Sequence, residues 1–280
     1  MFMNKLIIVI TIICVWAFLY LENNYITTTQ INIKFPKLPD TFDGYKIVHL
    51  SDLHNKRFGE DQKNLVRKIE DAHPDIIVFT GDLIDSRRFN AETSLDLMKR
   101  IVNIAPIYYV PGNHEWRSGR LETLCNDLKD IGVNVLCNAY DVIGKDGDGI
   151  YIIGIDDPSI YQAEDIETKV VKREIDRMMD EIQDNDAFKI LLAHRPDMFP
   201  LYSDYGFNLV LSGHAHGGQI RLPFIGGLVA PNQGVLPEYT SGEYKMGDST
   251  MVVSRGLGNS IFPQRLFNHP EVVVLTLIKE

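Results

Sequence analysis

Leu50-Ser51-Asp52-Leu53-His54 closes an apolar run, Tyr45-Lys46-Ile47-Val48-His49-Leu50, that has the composition of a buried strand. Where the run stops, two donor side chains stand one residue apart. Asp offers hard oxygen and His borderline nitrogen, a pairing that suits a divalent first-row cation better than a packed core. A lone Asp-x-His is a weak signal, but four further apolar runs end in the same kind of residue. Asp75-Ile76-Ile77-Val78-Phe79-Thr80 leads into Gly81-Asp82, and Ile107-Tyr108-Tyr109-Val110 into Pro111-Gly112-Asn113-His114. Phe188 to Ala193 ends at His194, and Phe207 to Leu211 ends at Ser212-Gly213-His214-Ala215-His216. Of the eight histidines in the chain, five sit at these exits, which scattering by chance does not produce.

Helical patterns lie between the runs, as parallel crossovers require. Leu65, Val66 and Ile69 give one stripe, Ala91, Leu95, Met98 and Val102 a second, and Leu121 to Ile131 a third that stops at Gly132. Val171, Ile175, Met178 and Ile182 mark the last long one, after the strand Tyr151-Ile152-Ile153-Gly154-Ile155. These stripes read as core-facing and carry no chemistry. Alternating strands and helices predict an α/β layered fold whose strand exits line one edge and share a crevice.

The ordered set Asp-x-His, Gly-Asp, Gly-Asn-His, lone His and Gly-His-x-His resembles the calcineurin-like metallophosphoesterase superfamily, from about Lys46 to the C-terminus. The resemblance implies two mixed β-sheets stacked between helices and two divalent metal ions, for which Mn, Fe and Zn are all acceptable. One ion would be held by Asp52, His54 and His216, and the other by Asn113, His194 and His214, with Asp82 bridging them. A carboxylate can serve two cations because it has two oxygens, which a neutral imidazole nitrogen cannot do. Two cations roughly 3.5–4 Å apart can clamp a phosphoryl group and bring a shared water toward neutral pKa. His114 is expected to be the general acid for the leaving oxygen rather than a ligand, since imidazole titrates in the useful range. By the resemblance, Asp85 orients it. Related phosphatases often place a phosphate-gripping Arg directly after that Asp, whereas this chain has Ser86 and then Arg87 and Arg88.

At the amino terminus, Leu6 to Leu21 is apolar on all faces, behind a single charge at Lys5 and ahead of Glu22. Trp16 and Tyr20 suit a membrane interface and no small-x-small cleavage site follows, so residues 1–21 are expected to be a single-pass anchor. Charge placement puts the amino terminus inside and the catalytic body outside the cell membrane. Residues 22–42 read as a linker that holds a short edge strand near Gln30 to Phe35, and residues 43–280 as one phosphoesterase domain. A formal net charge of −10 argues against nucleic acid as a partner. No signal addresses oligomeric state.

Cys125 and Cys137 read as buried thiols, with a bridge between them the alternative. Beyond Gly217 the helical patterns stop. Gly217 to Val229 is a glycine-punctuated apolar stretch, either plain hairpins or a substrate-facing lip able to meet a lipid chain. Among Arg221, Arg255 and Arg265, Arg255 is the candidate for phosphate capture. His49 and His269 are expected to be structural.

The expected activity is hydrolysis of a phosphoester or pyrophosphate bond by a metal-activated hydroxide, on a phosphorylated small molecule, nucleotide or lipid-linked substrate. The anchor, the Gly-His-x-His-Gly-Gly-Gln form and the closing Gly-Leu-Gly with Pro-x-Arg resemble a membrane-associated bacterial branch of the superfamily. That branch includes pyrophosphatases of UDP-2,3-diacylglucosamine. The alternatives are a docking module that kept the fold without turnover, and a nuclease of the same superfamily. Neither is favoured by a complete set of donors on an acidic chain.

Overall fold

The computed structural model describes residues 2–161, 163–182, 184, 186–259 and 262–280. In chain order the elements are α1 (Phe2–Asn24), β1 (Thr27–Phe35), β2 (Lys46–Leu50), α2 (Lys63–Ala72), β3 (Ile76–Thr80), α3 (Ala91–Ile101), β4 (Ile107–Val110) and α4 (Asn113–Arg117). Then come α5 (Leu121–Ile131), β5 (Asn134–Val135), β6 (Ala139–Lys145), β7 (Asp148–Ile155), α6 (Glu164–Glu181), β8 (Lys189–Ala193), α7 (Phe199–Asp204) and β9 (Leu209–Ser212). The chain closes with four two-residue strands, β10 (Arg221–Leu222), β11 (Gly226–Gly227), β12 (Val229–Ala230) and β13 (Gly234–Val235), and with β14 (Gly242–Met246), β15 (Ser249–Val253) and β16 (Glu271–Lys279).

Two six-stranded mixed sheets form, in the orders β1-β16-β2-β3-β4-β5 and β14-β15-β9-β8-β7-β6. The five apolar runs become β2, β3, β4, β8 and β9, all in parallel pairings and buried along almost their whole length. Alternation divides their side chains between layers. In β2, Ile47 enters the core between the sheets with Val78, Ile152, Ile190 and Leu211, while Val48 and Leu50 lie in the core on the other face with Leu65 and Ile69 of α2, Leu97 of α3 and Leu124 of α5. On the far side, Val171, Ile175 and Met178 of α6 pack with Leu191 and Val210. The layers therefore run helix, sheet, sheet, helix.

Two boundaries differ from the sequence expectation. The N-terminal helix runs to Asn24 rather than ending at residue 21, and its 23 residues span about 35 Å at 1.5 Å per residue, enough for a hydrocarbon core. The edge strand expected near Gln30 to Phe35 begins earlier, at Thr27, and β1 pairs in parallel along its full nine residues with β16. Only Ile33 and Phe35 of β1 are deeply buried, and the polar outward half hid the strand's first residues, Thr27 to Thr29. Cys125 and Cys137 are free thiols with sulfurs 3.7 Å apart.

Candidate metal centre and active site

Each donor arrives at the carboxyl end of a parallel strand, and backbone hydrogen bonds between exit loops fix their mutual positions. The Asp52 and His54 N–H groups donate to the Gly81 and Asp82 carbonyls, both at 3.0 Å, and Gly213 donates to the His194 carbonyl. The two sheets are tied at the site itself, since His214 N–H donates to both Asp52 carboxylate oxygens at 3.0 and 3.2 Å. Five donor residues hold left-handed backbone: Asp52 (φ 53°), His54 (49°), Asp82 (53°), His214 (66°) and His216 (48°). Each such residue costs on the order of 1–3 kcal/mol and persists only where its surroundings impose it. Gly213 is required because a Cβ there would lie 1.8 Å from Ser51 Oγ.

Two clusters result. Asp52, His54, Asp82 and His216 form one and Asp82, His194 and His214 the other, with the ligand atoms in each all within 4.8 Å of one another. Every member is buried. His54 Nε2 lies 3.6 Å and His194 Nε2 3.3 Å from the same oxygen, Asp82 Oδ2. The donor chemistry fits cations at both places. His54 Nε2 faces His216 Nε2 at 3.2 Å, and His214 Nδ1 faces His194 Nε2 at 3.0 Å, so ring nitrogens converge in each cluster. Asn113 begins α4, and its buried Oδ1 has no hydrogen-bond partner while its side chain lines one cavity with His214.

Hydrogen bonds behind the histidines choose which nitrogen is free to bind. His194 Nδ1 donates to the Thr80 carbonyl at 2.7 Å, leaving Nε2 for the cluster. His214 Nε2 meets Asn232 Oδ1 at 2.9 Å, which leaves Nδ1. Burial pushes His54 down to about 3 and His214 to about 4, so both are neutral, as ligands must be. His194 is the exception. Burial opposes its charge, but the Asp82 carboxylate overrides this and raises it to about 10, while Asp82 is driven well below its usual range. The proton on His194 stands where a cation would, so loading that cluster releases it.

His114 packs its ring edge-on against His54, centroids 4.5 Å apart, and its Nδ1 lies 3.6 Å from Asp85 Oδ1. That separation is longer than a hydrogen bond. The Ser86 N–H, 3.1 Å away, points at Nδ1 and puts the proton of the neutral ring on Nε2. Arg88 Nε sits 3.3 Å from Asp85 Oδ2 and lines the cavity that opens from His54. Arg255, the expected phosphate grip, is otherwise engaged: its Nη2 pairs with Glu271 Oε1 at 2.9 Å and bonds Thr27 Oγ1 at 3.1 Å, tying β1 to β16. Arg265 is likewise buried against the Gly258 and Asn268 carbonyls. His49 is buried against Thr80 Oγ1, in keeping with a structural role.

Sequence reasoning missed Glu115. It is fully buried and accepts the N–H groups of Asp82 (2.9 Å), Ile84 (3.0 Å) and Gly112 (2.7 Å), holding two exit loops together. Burial, and then the charge of Asp82, push its carboxyl up to about 7. Its place directly after Asn113-His114 was the only available signal. Asn232 lies just past the glycine-punctuated stretch, in the turn between β12 and β13, and gave none.

Fold and site together define a hydrolase that works through a pair of divalent cations. The chain belongs to the calcineurin-like phosphoesterases, whose family model matches residues 45–218. It is 35% identical over 263 residues to the uncharacterized metallophosphoesterase YkuE of Bacillus subtilis, covering 92% of this chain and 87% of that one. It is 27% identical over 269 residues to the phosphodiesterase YaeI of Escherichia coli, covering 92% and 91%. Among solved structures, TT1561 of Thermus thermophilus shares the fold, with a TM-score of 0.52 at 15% identity over 76% of this chain and 90% of that one.

Proposed function

We propose that the protein is a membrane-anchored hydrolase of phosphodiester or pyrophosphate bonds whose catalytic body stands on the extracytoplasmic side. The observation that carries this reading is Asp82, one carboxylate shared by two buried donor clusters. In this reading Asp52, His54, Asp82 and His216 hold one cation, and Asp82, Asn113, His194 and His214 hold the other. Bound cations there would neutralise phosphoryl oxygens and acidify water.

The chain's own groups do the rest. His114 gives a proton to the departing oxygen from Nε2, and Asp85, whose carboxyl is held low despite its burial by the Arg87 N–H and the nearby imidazoles, stabilises the ring when Nδ1 is also protonated. Arg88, at the mouth of the same cavity, meets the phosphate. A diester is favoured over a monoester by the likeness to a phosphodiesterase. Anchoring is supported by α1, whose segment Met3–Asn24 holds an 18-residue window of mean hydropathy 2.2 that is almost wholly exposed. Lys5 before the apolar stretch and Glu22 after it support the orientation.

The test uses the full chain in detergent with Mn²⁺ and bis-p-nitrophenyl phosphate. Wild type should turn over. Asp82→Ala should lose both metal and activity, whereas His114→Ala should keep its metal and lose about 10²–10⁴ in rate. An inert wild type with each of Mn²⁺, Fe²⁺, Co²⁺ and Zn²⁺ would replace this reading with the docking module.

A further inference from the structure

The last turn of α1 is not a free tether. Asn23 Nδ2 donates to the Pro263 carbonyl at 3.0 Å, Arg265 N–H donates to Asn23 Oδ1 at 2.8 Å, and Gln264 Nε2 donates to the Leu19 carbonyl at 3.0 Å. Lys56, two residues past His54, donates to the Asn23 carbonyl. Phe18 packs on Phe267 with ring centroids 5.8 Å apart. The end of the membrane segment is thus bolted to the loop that borders the site.

A cavity of about 460 Å³ connects the two. His54 and Asp85 line it at the candidate metal centre, Arg88 brings positive charge, Lys56 contributes an amine that burial pushes down to about 7, and Asn259 and Pro263 close it toward Asn23 of α1. A phosphate drawn into this cavity enters beside the point where the chain leaves the bilayer.

Exposed apolar side chains concentrate on the loop that borders the site and on the segment joined to it. Beyond Tyr25, thirteen large apolar side chains are exposed among the described residues, and eight of them fall between Leu222 and Phe267. Phe224 and Ile225 form the tip of the β10–β11 ribbon, which is joined to the helix-bearing loop by the Ile220–Leu266 bridge and by Arg221 N–H donating to the Leu266 carbonyl. Val235 and Leu236 follow on β13 and after it, and Phe262 and Phe267 lie on the loop itself. Residues 222–237 contain no charged side chain in a chain of net charge −10. Water-exposed Phe, Ile and Leu without interspersed charge are poorly suited to solvent and well suited to the outer layer of a bilayer.

We propose that this lip seats in the leaflet from which α1 emerges, and that the cleft takes its phosphate from the headgroup of a membrane lipid. The proposal rests on the phosphohydrolase reading above and names its substrate class. Continuity of the lip with the end of α1 selects the bilayer as the occupant of this face.

The test reconstitutes full-length protein in phosphatidylcholine vesicles. It compares the vesicle-borne diester phosphatidyl-p-nitrophenol with soluble bis-p-nitrophenyl phosphate, which share a leaving group. Wild type should cleave both. Replacing the lip tip, Phe224→Ser with Ile225→Ser, should reduce the lipid rate about tenfold or more and leave the soluble rate within about twofold, because both residues are exposed and neither touches the site. A Phe224→Trp variant in the same vesicles should be quenched by lipids brominated near the headgroup. Wild type active only on the soluble diester, equal losses on both substrates, or an unquenched Trp would overturn the lipid assignment and leave the phosphohydrolase standing. Inactivity on both substrates would remove both readings.

Discussion

Glu115→Gln isolates the clamp between the β3 and β4 exit loops. Oε2 accepts from Asp82 and Gly112 at 2.9 and 2.7 Å, and Oε1 from Ile84 at 3.0 Å. A glutamine can keep its oxygen in the Oε2 position and retain two of the three bonds. Its amide group then confronts the Ile84 N–H, so one bond is lost and one buried donor is orphaned. Above about pH 7, where Glu115 is ionised, a hydrogen bond to its charged oxygen is worth about 1.5–3 kcal/mol, and an orphaned donor costs about 1–3 kcal/mol. Not all of this is realised after relaxation, and a loss of about 3 kcal/mol is the expectation. For a chain of this size that lowers Tm by about 6–12 °C. Thermal unfolding of the full-length variant in detergent, with Mn content measured on the same samples, reads the effect. Because Asp82 is one of the clamped residues, metal content should fall with Tm. A variant that melts within about 2 °C of wild type and keeps its metal would refute the idea that Glu115 holds the loops.

Gly213→Ala would bring a Cβ to 1.8 Å from Ser51 Oγ and 2.5 Å from Asp52 Oδ2, so the Asp52 loop must move. A stability loss of about 1–3 kcal/mol and reduced occupancy of one cation are expected, read by calorimetry and elemental analysis. Asn232→Ala removes the partner that frees His214 Nδ1, and should weaken binding of one Mn²⁺ by about 10–100-fold in a titration while sparing the other. Acid stability should also depend on His49. Burial pushes it down from 6.5 to about 3, against an upward pull from Glu271, so the folded state refuses a proton that the unfolded chain accepts. Its contribution is intact above about pH 6.5 and drains as pH falls toward 3. His49→Leu should therefore flatten unfolding free energy against pH by up to about 1.4 kcal/mol per unit in that window, as chemical denaturation at a series of pH values would show.

The parallel strands were legible because burial on both faces leaves almost no polar residue until the strand ends, and each ending then names its donor. Asp52, His54, Asp82, His194, His214 and His216 could be grouped for that reason. β1 was legible only in its second half, from Gln30 to Phe35, since the wet start of an edge strand looks like a polar linker and its partner β16 lies at the other end of the chain. Arg255 misled for a related reason: Glu271, which holds it, is a neighbour only through the fold. Thr80 acts through a backbone carbonyl, which no side-chain pattern reveals, and Asn232 reaches His214 from within a turn.

The left-handed backbone at five donor positions narrows how this centre could be retuned. Asp, Asn and His are the non-glycine residues that enter that conformation most readily, so at these positions the same residue types satisfy both torsion and coordination. Exchanging His216 for Cys or Glu to favour another ion would keep a donor atom while asking the main chain for an angle the newcomer adopts less easily. The loop would unwind toward a relaxed path and carry the new side chain away from its target. Metal preference in this scaffold is accordingly easier to alter at Asn113 or His194, neither of which has positive φ, than at any of the other five.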